Sequence, residues 1–206
     1  MIGYASRTGT RRNLQGLAAA GWRILVSAKG VLRTEGFPYA LDNGAWWSFV
    51  NGQPFDETAF ARAYELLGAD ADFVVLPDIV AGGVRSLEFS LRWLQRLGRG
   101  PLFLLAVQDG MTREMIKPLI GAGLGIFVGG STEWKIDTMK DWGDLARESG
   151  AWCHVGRVNS ARRIRICHAA GVTSFDGSGP SRFSAVLPGL DHARRQPDLF
   201  GCIDGG

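Results

Sequence analysis

The chain has 206 residues, of which 46 % are hydrophobic and 21 % charged. This globular composition excludes disorder and is enough for one domain with a full core. No run of eighteen apolar residues occurs, so no membrane-spanning helix is expected. The net charge of +3 and isoelectric point near 9.0 admit a nucleic-acid partner without demanding one.

The first residues, MIGYASRTGTRRN, lack an apolar stretch after their charges, so a secretory signal is not expected and the expected location is the cytoplasm. Cys153, Cys167 and Cys202 are odd in number and widely spaced, which fits a reducing compartment and no disulfide framework. Arginines cluster at Arg7, Arg11 and Arg12, and again at Arg157, Arg162, Arg163 and Arg165. Arg182, Arg194 and Arg195 follow. Such clusters serve either as solvated helix faces or as neutralisers of phosphate.

Short apolar runs alternate with longer amphipathic stretches along the chain. The runs are Ile2–Ser6, Arg23–Ala28, Tyr39–Asp42, Phe73–Pro77, Leu102–Val107, Gly125–Val128, Ala151–Val155 and Thr173–Asp176. They carry few charges and are bounded by Gly, Pro or Asp, as strands buried on both faces are. A helix is expected over Phe55–Gly68, with Phe60, Ala63, Tyr64 and Leu67 on one face. A second, over Val84–Leu97, repeats Leu87, Leu91 and Leu94. A third runs from Ser160 as N-cap to Gly171 as stop. The segment between the second and third strands is too short for a full helix, so that unit is expected to be degenerate. Residues 1–196 are expected to form one domain and 197–206 a loose tail.

Eight strands with intervening helices make either a barrel or a doubly wound sheet. Asp42, Asp78, Gln108, Asp176 and the Gly129-Gly130 pair all fall at or just past strand ends. In a (β/α)8 TIM barrel those ends converge on one mouth, and the α/β fold expected here is that compact barrel. GAGLGIFVGG (121–130) is not a dinucleotide fingerprint, because its glycines precede a strand instead of following one. The cysteine and histidine pairs 153–154 and 167–168 lack chelating spacing, and neighbours on a strand point to opposite faces, so no metal is expected. His154 ends a strand at the expected mouth. Paired carboxylates suit chemistry at an anomeric carbon, one as nucleophile and one as proton carrier.

Six runs follow one another in order: LDNGAWW (41–47), VLPDIVAG (75–82), AVQDGM (106–111), FVGGST (127–132), HVGRVNS (154–160) and FDGSGPSR (175–182). Together they resemble the motif series of tRNA-guanine transglycosylases. They are more similar still to the short relatives that insert 7-deazaguanines into DNA, found in bacteriophages and bacterial modification islands.

The resemblance implies Asp176 as covalent nucleophile, followed at the family spacing by Pro180 and Arg182, and Asp42 as the proton-handling aspartate. It implies a base pocket in which Asp78 reads guanine N1–H and the amine, and Gln108 meets O6. Gly129 and Gly130 contact the base through their backbone, Trp46 and Val155 take its two faces, and His154 lies alongside. The family's zinc-binding Cys-x-Cys-x-x-Cys…His insertion is absent after the nucleophile, which favours DNA over tRNA. Ile79-Val80 and Ala45-Trp46-Trp47 also depart from the tRNA enzymes in the base pocket.

The implied reaction is exchange of guanine in DNA for a 7-deazaguanine such as preQ0, with no cofactor. Arg157, Arg162, Arg163 and Arg182 would hold the polymer, and the modified DNA would evade restriction. The alternatives are a tRNA substrate, a deazapurine nucleoside hydrolase, and a non-catalytic barrel that binds bases or nucleic acid.

Overall fold

The computed structural model describes residues 1–6 and 10–196. Arg7, Cys202 and the expected loose tail from Pro197 to Gly206 lie outside the described residues. The strands are β1 (Ile2–Ser6), β2 (Arg23–Ser27), β3 (Tyr39–Asp42), β4 (Val74–Val75), β5 (Phe103–Val107), β6 (Leu124–Val128), β7 (Cys153–Val155) and β8 (Ser174–Gly177). Each pairs in parallel with the next, and β8 pairs back with β1 to close the barrel.

Helix α1 (Arg11–Ala19) follows β1, and α2 (Ala45–Val50) and α3 (Glu57–Leu67) follow β3. Helices α4 (Val84–Leu97), α5 (Arg113–Ile116), α6 (Thr132–Glu148) and α7 (Ala161–Ala169) follow β4 to β7. After β8 come α8 (Gly179–Arg182), one 3-10 turn and α9 (Leu187–Arg195). This is the (β/α)8 barrel. Among the described residues no helix joins β2 to β3. There Leu32 and Phe37 pack on the core in place of a helix. No helix of the described residues is long and apolar enough to cross a membrane.

Strand side chains alternate between two cores, as the period of two requires. Outward residues such as Ile24, Val26, Leu41, Leu105, Ile126 and Phe175 meet the helices. Tyr4, Leu25, Ala40, Phe73, Val75 and Leu104 fill the barrel interior, with Phe127 and Trp152 against them. At the N-terminal end, the Tyr4 hydroxyl donates to Asp72 at 2.9 Å, and Arg23 pairs with Asp72 at 2.7 Å. At the other end of the chain, Arg194 and Arg195 pair with Asp191 and donate to the Ala20 carbonyl. These two arginines therefore tie α9 to the end of α1.

The helix signals in the sequence correspond to real caps. Ser160 accepts from the Arg163 N–H to start α7, and Gly171 follows its end with a φ of +67°. Helix α4 has its expected bounds, but its most buried face is Ser86, Leu87, Ser90 and Trp93. Leu91 and Leu94 are only partly buried against the core. The serines face inward because the chain beyond β4, at Pro77 and Ile79, has polar backbone to satisfy. Ser90 donates to the Pro77 carbonyl at 2.8 Å, and Ser86 accepts from the Ile79 N–H at 3.0 Å.

Helix α6 lies so close to the end of α7 that a Cβ at Gly143 would sit 1.9 Å from the Ala170 carbonyl oxygen. An exposed helical Gly→Ala change stabilises by about 0.5–1 kcal/mol. Here the clash is with backbone that cannot swing aside. Gly143→Ala is expected to destabilise the protein by roughly 1–3 kcal/mol, read as a lower urea midpoint. A raised midpoint would show that the two helices can separate freely.

Candidate active site

The mouth is built from the ends of β3, β4, β5, β7 and β8. Asp42 closes β3 facing the interior, and its Oδ2 accepts from the Gly44 N–H at 3.1 Å. Gly44 has a φ of +81° and would meet Lys29 if it carried a Cβ, so a glycine is needed to start α2 here. Burial, then the charge of Asp176, pushes the Asp42 carboxyl up to about 6, against hydrogen bonds from Gly44 and Ser27. Burial likewise pushes Asp78 up to about 6, against a hydrogen bond from Asn43.

Asp176 is nearly buried near the end of β8. Its Oδ2 accepts from the Arg157 backbone N–H at 3.3 Å and lies 3.1 Å from His154 Nε2. A Cβ at Gly156 would meet the Phe127 ring at 2.7 Å and lie 3.4 Å from this oxygen. Glycine at 156 therefore leaves room for the Phe127 ring beside the carboxylate.

The structure brings Asp42, Asp78 and Asp176 to one mouth with Trp46 at its rim, but it alters the roles of several other residues. Gln108 is buried with its amide fully engaged. Its Oε1 accepts from the Gly82 N–H at 3.0 Å. Its Nε2 donates to Ser86 at 2.8 Å, to the Ile79 carbonyl at 3.1 Å and, more weakly, to Asp78 at 3.4 Å. Its amide is occupied in holding the β4 loop and has no free donor for a base O6. Val155 points outward into the helix layer beside Met139 and Ile166, so its side chain cannot face a base in the mouth. His154 is fully buried beneath Asp176, inside the barrel, and is not part of the rim.

One backbone group of each glycine in the pair is also engaged. The Gly129 N–H donates to the Val107 carbonyl, and the Gly130 carbonyl accepts from the Arg157 guanidinium. At Gly130, with a φ of +72°, a Cβ would strike Asp109 Oδ2 at 2.5 Å. Against the cost of burial, hydrogen bonds from the Ser131 N–H and hydroxyl hold Asp109 below the usual carboxylate range. They lock the β5 and β6 loops together.

Arg157 has its own left-handed backbone, with a φ of +62°. Its guanidinium lies 4.1 Å from the ring centroid of half-exposed Trp46, a cation–π contact across the rim. Arg162 and Arg182 are exposed. Arg163 is partly exposed and lines the outside of β7 with Lys135.

Three residues not singled out from sequence complete the site. Asn43 donates to the Leu76 carbonyl at 2.6 Å and to Asp78 at 2.8 Å, joining the ends of β3 and β4. Ser174 lies 2.8 Å from His154 Nδ1. Lys135, buried on α6, donates to the Gly156 carbonyl. Burial and then Arg157 push its ammonium down to about 8. Asn43 and Ser174 had a legible signal, since each stands within two residues of a strand-end aspartate. Lys135 had none. Among the described residues no group of three or more His, Cys, Asp or Glu is placed to hold a metal ion. The chain matches no protein-family model and no curated protein.

Asp42 and Asp78 hold their protons more tightly folded than unfolded. Their contribution to stability is therefore fully present below the unfolded value of 3.8 and is lost as the pH rises through about 6. Asp42→Asn removes the ionisable group but keeps an oxygen for the Gly44 N–H. The variant is expected to be more stable than the wild type above pH 6, on the order of 1–3 kcal/mol. Thermal melts should show the gap closing near pH 4. A pH-independent difference would mean that Asp42 does not titrate as its surroundings require.

Proposed function

We propose that this protein is a transglycosylase that exchanges guanine in DNA for a 7-deazaguanine of the preQ0 type, through a covalent bond between Asp176 and C1′. One observation carries the reading: two carboxyls of different character meet at one barrel mouth. Asp176 is engaged through a single oxygen, which accepts from the Arg157 N–H and lies against His154 Nε2. Asp42 is pushed up to about 6 by burial and by the charge of Asp176, near the working pH that suits an acid–base group.

The target guanosine leaves the stack, at a cost of about a few kcal/mol. An Asp176 carboxylate oxygen bonds to C1′ while the C1′–N9 electron pair departs with guanine, and protonated Asp42 supplies the proton that guanine takes up. The incoming base then gives its N9 proton to the Asp42 carboxylate. Its nitrogen pair forms the new bond to C1′, and Asp176 departs as a carboxylate.

Asp78 is the acceptor for the base N1–H and amine, with Asn43 and Gln108 as its supports. Trp46 offers a ring to stack on the base, while Arg157, Arg162, Arg163 and Arg182 attract phosphates. Such modification would shield DNA from restriction nucleases, which fits a viral or defence setting.

Incubation with duplex DNA and radiolabelled guanine or preQ0, with tRNA in parallel, tests the reading. Label is expected in DNA and not in tRNA. Neither Asp176→Ala nor Asp176→Asn should incorporate any, since an amide is a poor nucleophile. Label in tRNA alone, or hydrolysis of free nucleosides, would overturn the DNA assignment, and full activity of Asp176→Asn would remove the nucleophile. Exposed arginines on phosphates give steep salt dependence. Arg162→Glu combined with Arg182→Glu is therefore expected to weaken DNA binding and flatten its salt slope, with affinity for the free base unchanged.

A further inference from the structure

Beneath Asp176 a chain of buried polar groups runs down into the barrel. The His154 ring is fully buried. It stacks on Phe127 at 5.1 Å, with Phe73 at 4.9 Å and Tyr4 at 5.7 Å between ring centroids. Its Nδ1 lies 2.8 Å from Ser174 Oγ, and the Trp152 indole N–H donates to that same oxygen at 2.8 Å.

The direction of each hydrogen follows by elimination. An indole nitrogen can only donate, so Trp152 fills one lone pair of Ser174. Ser174 is fully buried, and a buried hydroxyl hydrogen needs an acceptor. Among the described residues His154 Nδ1 is the acceptor within reach. If Nδ1 accepts, the ring hydrogen of the neutral imidazole is on Nε2, which faces Asp176 Oδ2 at 3.1 Å. The Arg157 backbone N–H donates to the same Oδ2. No described residue donates to Oδ1.

We infer that the buried chain Trp152→Ser174→His154 fixes His154 as the Nε2–H tautomer and makes it the positioning residue of Asp176. It dedicates Oδ2 to binding and leaves Oδ1 as the attacking oxygen. This deepens the exchange reading and rests on it for the role of Asp176. A carboxylate anchored by one oxygen cannot rotate to present the other edge. Oδ1 is then held towards the open mouth, and its full electron pair is available to C1′. The cost of orienting the nucleophile is met by the fold before substrate arrives.

The wiring and the chemistry can be tested separately. Nitrogen-15 spectra of the histidine rings in the labelled full chain report the tautomer, with His154 assigned by the signal that His154→Gln removes. The expected spectrum is a neutral ring protonated at Nε2, moving towards a tautomer mixture in Ser174→Ala. A ring protonated at Nδ1, or at both nitrogens, overturns the wiring.

The kinetic arm compares His154→Gln, whose amide N–H can reach Oδ2, with His154→Phe, which stacks but cannot donate. His154→Phe is expected to lose about 100-fold in kcat for base exchange with KM little changed, and His154→Gln to recover most of that loss. Equal kcat in two folded variants overturns the positioning role, as does a loss confined to KM. If His154→Phe does not fold, His154→Gln carries the comparison with the wild type, and a 100-fold loss in it overturns the role. If the wild type exchanges no base in any polymer, the exchange reading fails and the attacking-oxygen assignment with it. The spectra then still decide whether the chain of donors exists.

Discussion

A strand in a closed barrel has one face inside and one outside, and the site depends on that parity. Within β7, Cys153 and Val155 face the helices and His154 faces the axis. On β8, Phe175 packs outward on Trp22, while Ser174 and Asp176 face inward to His154. The pairing of β7 with β8 sets His154 opposite Ser174. The next inward position along β8 is Asp176, and so one imidazole meets both residues with its two nitrogens. A one-residue slip of β8 would turn Ser174 and Asp176 out into the apolar helix layer, and one of β7 would turn out His154.

The carboxyls at the mouth differ in their surroundings more than in their chemistry. Asp176 faces backbone and imidazole donors directed at one oxygen. Asp42 accepts from Gly44 and Ser27, but burial and then the charge of Asp176 push its carboxyl up to about 6. Asp78 stands apart, braced by Asn43 and Gln108. Identical side chains on one rim thereby become distinct groups, as sites that need an acid and a base together require.

Much of this was legible in the sequence. Uninterrupted apolar runs ended by Asp, Gln or Gly located all eight strands, six of them within a residue at each end, because a parallel barrel buries both faces of each strand. Strands β4 and β7 are shorter than their runs, at Val74–Val75 and Cys153–Val155. The short link from Ala28 to Pro38 announced the missing helix. The surroundings of Gln108, His154 and the Gly129 N–H were hidden for a different reason. Their hydrogen-bonding partners Gly82, Ser174 and Val107 are distant in sequence, and only the closed fold brings them near. Val155 was a matter of parity, since a residue next to an inward His154 must face outward. The buried serines of α4 hid behind the usual preference for leucine. They are placed by the unpaired backbone beyond Pro77, which no hydrophobic period records.

Arg157 joins the outside of the mouth to its floor. Its amide points inward to Asp176 and its side chain outward over Trp46, an arrangement that its left-handed backbone permits. Any flat molecule that settles on the covered face of the indole must first move the guanidinium aside. That movement bears on the same residue whose N–H holds the carboxylate, so occupancy of the rim and order at the centre are thermodynamically linked through a single residue.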